Sequence, residues 1–182
     1  MKKFVLACLA AASFSALPVA ARATVLISNL PPTYVPGTTT GTTINSAASG
    51  VQDSKAAGFT LPAGSNYLLT DVILRLQLAT TSVPQVAIYG TTAGNPGTLL
   101  QTLANPTLTA NAVVDLTFTS SSPLTLAAGT TYWVVVSNAA TVDDGFSWYA
   151  SNPAVTPTGI ATSAGYRFSN GAPPPYWRFF HV

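Results

Sequence analysis

Pro123–Asn138 reads PLTLAAGTTYWVVVSN, and its reading decides the fold. A short apolar run, Leu124 and Leu126, leads through Gly129 into Tyr132-Trp133-Val134-Val135-Val136, an unbroken series of aromatic and β-branched residues. Such residues suit a pleated strand. Because successive side chains alternate sides, the series is apolar on both faces and needs cover from two directions. It belongs in the middle of a sandwich. Gly129 supplies the turn before it, where positive φ costs no Cβ clash.

Working outward, Tyr67–Leu78 (YLLTDVILRLQL) alternates: Val72, Leu74, Leu76 and Leu78 share one face and Ile73, Arg75, Gln77 and Ala79 the other. That period of two marks a half-buried strand. Val83–Tyr89 (VPQVAIY) reads as another, with Val86 and Ile88 together and Pro84 placing its start on an edge. Gly90–Gly97 is a turn cluster, Thr98–Leu103 returns apolar, and Val113–Thr119 turns Val114, Leu116 and Phe118 inward and Asp115 outward. Thr24–Leu30 (TVLISNL) reads as a first strand. The Thr/Gly/Ser-rich stretch from there to about Ser54 reads as a flexible loop or an edge ribbon on the sandwich. Ala56–Leu61 places Phe59 inward. Downstream, the Asp143-Asp144-Gly145 turn opens Phe146–Tyr149, and Ser151–Ser163 is a polar loop. Gly165–Phe168 and Tyr176–Val182 are closing strands split by the turn Asn170–Pro175. The expectation is an all-β antiparallel sandwich or jelly roll of about eight to ten short strands.

Composition agrees. Glu is absent and charged residues are 7% of the chain, against the usual quarter. Helices draw on Glu, Lys and Arg for their wet faces; Thr and Ser take that place here, as on strands. The first 23 residues read as a signal peptide: Lys2 and Lys3, an apolar Phe4–Leu17 segment, and Ala21-Arg22-Ala23 as the cleavage signal. The apolar run is too short to span a bilayer. Val5-Leu6-Ala7-Cys8 faintly resembles a lipoprotein box, but cleavage there would leave too little apolar segment. Removing 23 of 182 residues leaves 159, enough for a single domain, residues 24–182. Four cations then face five aspartates, a net charge of −1. No basic patch remains for nucleic acid or anionic lipid. The mature chain lacks Cys, so export brings it no disulfide.

Five segments carry a resemblance: "VLISNL", "VAIYGTTAGNPGTLLQTL", "LTLAAGTTYWVVVSN", "GFSWYAS" and the closing "YWRFFHV". Together they resemble the choice-of-anchor R family of bacterial surface or secreted domains, over most of the mature chain. The resemblance implies export and a β-sandwich, and brings no catalytic residues. Family members often carry a C-terminal sorting anchor; this sequence reads to Val182 with no apolar helix or basic tail.

The chemistry-bearing residues are few. His181 is the sole histidine and no G-x-S-x-G accompanies it, so a serine triad lacks its base. Glycosidase chemistry would need two of the five aspartates to converge in a cleft with perturbed pKa values. Zinc lacks ligands, whereas calcium could take Asp143, Asp144 and loop carbonyls, although a turn is the simpler role for that pair. Trp148, Tyr149, Tyr176 and Trp177 lie beside loops, and exposed aromatics stack on sugar rings much as on bases; a buried Trp is the plainer role for Trp133 and Trp148. The sequence therefore points to a non-catalytic exported domain with a structural or adhesive role at the cell surface or in the extracellular matrix, its partners other surface proteins or polysaccharide. The second reading is a carbohydrate-binding module, and the third a glycoside hydrolase fragment. Periplasmic and extracellular destinations stay open.

Overall fold

Thr131–Asn138 forms β7, and it runs between two neighbours in the middle of a six-stranded antiparallel sheet. The computed structural model describes residues 24–30, 39–50, 52–151, 156–170 and 178–179. Its strands are β1 Thr39–Asn45, β2 Asp53–Thr60, β3 Tyr67–Gln77, β4 Pro84–Thr92, β5 Asn95–Thr102, β6 Val113–Leu126, β7, β8 Gly145–Ser151, β9 Thr162–Asn170 and β10 Arg178–Phe179. One sheet has the order β1-β8-β3-β6, and the other β10-β9-β2-β7-β4-β5. The two sheets make a β-sandwich.

The main core lies between them. Leu74, Leu76, Leu116, Phe118, Ile44 and Phe146 from the four-stranded sheet meet Phe59, Val86, Ile88, Tyr132 and Val136 from the six-stranded one. Tyr132 also turns its hydroxyl back to accept from the Ala127 N–H at 2.7 Å, bracing the Gly129 turn, whose φ is +65°. The alternation in β3 holds: Leu74 and Leu76 are buried and Ile73 is 48% exposed.

β7 is covered on its second face too. Trp133 and Val135 join Ala56 in a separate buried cluster, with Tyr89 packed against it. Gly58 lies opposite Trp133 on β2, and a Cβ there would fall 2.7 Å from the indole ring. The missing side chain lets the ring lie flat across β2. Gly58→Ala is expected to destabilise the fold by about 1–3 kcal/mol through overpacking, seen as a lower urea midpoint at unchanged m-value.

Two expectations change, for Thr24–Leu30 and for Gly90–Gly97, and two hold in part. Thr24–Leu30 is not a ladder strand; it makes a single bridge, Ser28 to Thr158. The stretch before Ser54 contains an edge strand, β1, paired throughout with β8, so the ribbon expectation holds for that part. The Gly90–Gly97 cluster is mostly strand: β4 continues to Thr92 and β5 starts at Asn95. The turn shrinks to Ala93-Gly94, both at positive φ, as a two-residue hairpin loop requires. β4 is an inner strand. At Pro84, however, only β7 is paired, since the β5 ladder begins at Ala87. The proline therefore sits where a neighbouring strand is lacking, and the Asn105 side chain donates to its carbonyl at 2.9 Å.

Candidate functional site

The two described aromatic candidates, Trp148 and Tyr149, do not share a face. Trp148 and Tyr149 are consecutive on β8, so they face opposite ways. Trp148 packs against the main core, half-buried. Tyr149 lies on the outer face of the four-stranded sheet, half-buried, with its hydroxyl donating to Gln77 Oε1 at 2.7 Å. One flat platform cannot include both. Tyr176, Trp177 and His181 lie outside the described residues.

The most elaborate aromatic environment belongs to Trp133. It is 1% exposed, although it stands on the outer face of its sheet. The Arg167 guanidinium lies over the ring, 5.0 Å from its centroid, near enough for a cation–π attraction. Arg167 also donates from Nε to Asn95 Oδ1 at 2.9 Å and to the Gly94 carbonyl at 3.1 Å. The indole N–H donates to Thr91 Oγ1 at 3.3 Å. The β4–β5 hairpin tip is thus tied across the outer face to β9 through one arginine, above one tryptophan.

Asp144 is the second focus. Its carboxylate accepts from Thr81 Oγ1 at 2.5 Å, Ser82 Oγ at 3.1 Å and the Gly145 N–H at 2.6 Å. Its carbonyl accepts from the Ser46 N–H and from Asn138 Nδ2. Asn138 Oδ1 in turn accepts from Val83 and Ala140, and Ser46 Oγ donates to the Val142 carbonyl. The Asp144 side chain therefore fastens the β3–β4 loop to the β7–β8 loop, and the Asp144 backbone carbonyl and N–H hold Ser46 just after β1. Burial works to raise the Asp144 pKa, but the hydrogen bonds from Thr81, Gly145 and Ser82 outweigh it and hold the carboxyl below its ordinary value. Asp143 beside it is exposed. A calcium ion here would compete with three donors for the Asp144 oxygens. Among the described residues no three His, Cys, Asp or Glu side chains group as metal ligands.

The other described aspartates are dispersed. Asp115 holds Arg75 in a two-pronged pair, Nε to Oδ1 at 2.7 Å and the second prong at 2.8 Å. The hydrogen bonds that Arg75 donates to Asp115 raise the Arg75 pKa against the opposing effect of burial, and Arg75 is only 4% exposed. Asp53 accepts from Asn45 Nδ2 at 2.6 Å, and Asp71 from Thr70 at 2.8 Å. Lys55, buried on β2, sits over the Phe168 ring at 4.5 Å; burial lowers its pKa, with Asp53 pulling the other way.

Sequence reasoning passed over Ser46, Thr81, Ser82, Asn138 and Arg167. Asn138 offered the one usable signal, an amide closing an apolar strand, where a buried polar side chain must find partners. No helix among the described residues is long and apolar enough to cross a membrane. The chain matches no protein-family model, no curated protein and no solved structure.

Proposed function

We propose that this chain is a non-catalytic jelly-roll domain, exported through residues 1–23, that works at the cell surface or in the extracellular matrix by structural or adhesive contact. The jelly-roll reading is supported by strand order: β1-β8-β3-β6 faces β2-β7-β4-β5, with β9 and β10 appended beside β2. That distribution of eight strands over two sheets is the one expected of a double Greek key. The fold alone assigns no activity. The functional reading is carried by one observation: Asp144, Asp115 and Trp133, three of the described side chains able to do chemistry or stack on ligands, serve as fasteners between elements. Asp144 joins the β3–β4 and β7–β8 loops, Asp115 holds Arg75, and Trp133 lies beneath Arg167. The resemblance to choice-of-anchor R domains agrees with this role.

The test has two arms. Full-length protein expressed in a bacterial host should appear outside the cytoplasm with Thr24 as its first residue; retention in the cytoplasm with Met1 intact would remove the export reading. The purified domain should emit blue-shifted tryptophan fluorescence, weakly quenched by acrylamide and unmoved by a polysaccharide panel. Protection of a quenchable tryptophan by one polysaccharide, lost in Trp177→Ala, would install the carbohydrate-binding module in its place.

A further inference from the structure

The segment 24–30 is a strap laid on the finished sandwich. It is held by a reciprocal backbone pair, Ser28 with Thr158 at 2.8 Å in both directions, and by the Ala161 N–H donating to the Leu26 carbonyl at 2.8 Å. Asn29 Nδ2 donates to the Tyr166 hydroxyl at 2.6 Å. Leu26 and Ile27 pack on the main core. The groove is shaped for this occupant. Gly159 has a φ of +120°, and a Cβ on it would stand 2.5 Å from the Leu26 carbonyl, so only glycine lets the strap approach. Beneath it a cavity of about 60 Å³ remains, lined by Ile27, Asn29, Phe59, Val134 and Tyr166 among others.

Apart from Ala57, Gly58 and Phe59 in the cavity wall, the residues outside the strap that bond it and line the cavity lie more than a hundred residues further along the chain. Eight residues, 31–38 (PPTYVPGT), separate the strap from β1. Eight residues can span roughly 26 Å when extended. A strap with few bonds, local complementarity to a distant groove and a long connection can satisfy the same contacts on a neighbour. We propose that the groove formed by residues 158–161 and Tyr166 takes the strap of a second copy of this chain, so that 24–30 is exchanged between molecules. The occupant is fixed by the contacts themselves, since the segment already seated there belongs to every copy. The proposal is independent of the exported role.

Ser28 and Thr158 exchange both backbone hydrogen bonds, a pairing whose Cα atoms lie about 5.5 Å apart, within disulfide reach. In a Cys8→Ser background, chains carrying Ser28→Cys are mixed with differently tagged chains carrying Thr158→Cys, unfolded, refolded together at rising concentration and oxidised. Exchange predicts a disulfide between the two kinds of chain well above chance pairing, growing with concentration, and lost when Gly159→Val is added to the Thr158→Cys chain. Hetero-linked product at the chance level, with both variants folded by circular dichroism, overturns the proposal. Should either cysteine variant not fold, sedimentation of the unaltered chain decides: concentration-dependent dimer supports exchange, and monomer at every concentration overturns it.

Discussion

Replacing Trp133 with alanine is expected to lower the unfolding free energy by about 3–5 kcal/mol, the range for deleting a large buried aromatic. The loss arises on the outer face of the sheet, away from the space between the sheets. Trp133 covers Gly58 and lies beneath Arg167. Its removal opens a cavity and strips the arginine of its aromatic partner, leaving Arg167 its polar bonds to Asn95, Gly94 and Tyr166. Urea unfolding followed by far-UV circular dichroism measures this, and Trp133→Phe should recover a large part of the loss. A drop below about 1 kcal/mol, the scale of ordinary surface substitutions, would mean that the outer cluster is not a second core.

Asp144→Ala is expected to cost about 2–4 kcal/mol, because it leaves Thr81, Ser82 and the Gly145 N–H without their charged acceptor. The effect should depend on pH with a definite sign. A carboxyl held below its ordinary value in the folded state contributes stability that is complete above the unfolded value, about 3.9. That contribution fades as pH falls through the lower, folded value. Unfolding free energy should therefore decrease through the acid range in the parent and decrease less steeply in Asp144→Asn. Parallel pH profiles for the two proteins would show that Asp144 does not titrate with folding.

The features legible in the sequence were those set by strong periodicity. β3 could be read because Leu74 and Leu76 alternate with Ile73 and Arg75, and from Val72 to Gln77 burial follows that alternation at all but one position. The exception is Arg75, outward by parity yet buried and paired with Asp115. Before the register shift at Leu69–Asp71 the parity reverses, with Leu68 exposed and Leu69 buried. β7 could be read because five apolar residues leave no wet face. β1 could not: TTGTTIN has one large apolar residue, and its strand state comes from pairing with β8, a partner about a hundred residues away. The strap shows the converse. VLISNL has strand composition but makes only one bridge. Around Ala93-Gly94 the turn residues were recognised, yet the ladder tolerates glycine and proline up to the two-residue loop itself.

The candidate sites were less legible, because their chemistry depends on contacts across long separations. Asp144 gave a correct turn signal, but Thr81 and Ser82 stand 63 and 62 residues away. Nothing local to either marks the bond. Trp148 and Tyr149 looked like a pair in sequence. The pleat divides them, one towards the core and the other outward.

The position of β9 bears on how the domain would carry tension. The strap grips residues 158–161 just before β9 and Tyr166 within it, and β10 pairs with its far end. The first and last described segments thus meet at one margin of the six-stranded sheet. A pull applied through them would load that margin first, undoing bonds a few at a time by peeling. β7, three strands inward from β10, would bear load only after β9 and β2 had given way. The fold would yield gradually from one side while its central strand stayed packed on both faces.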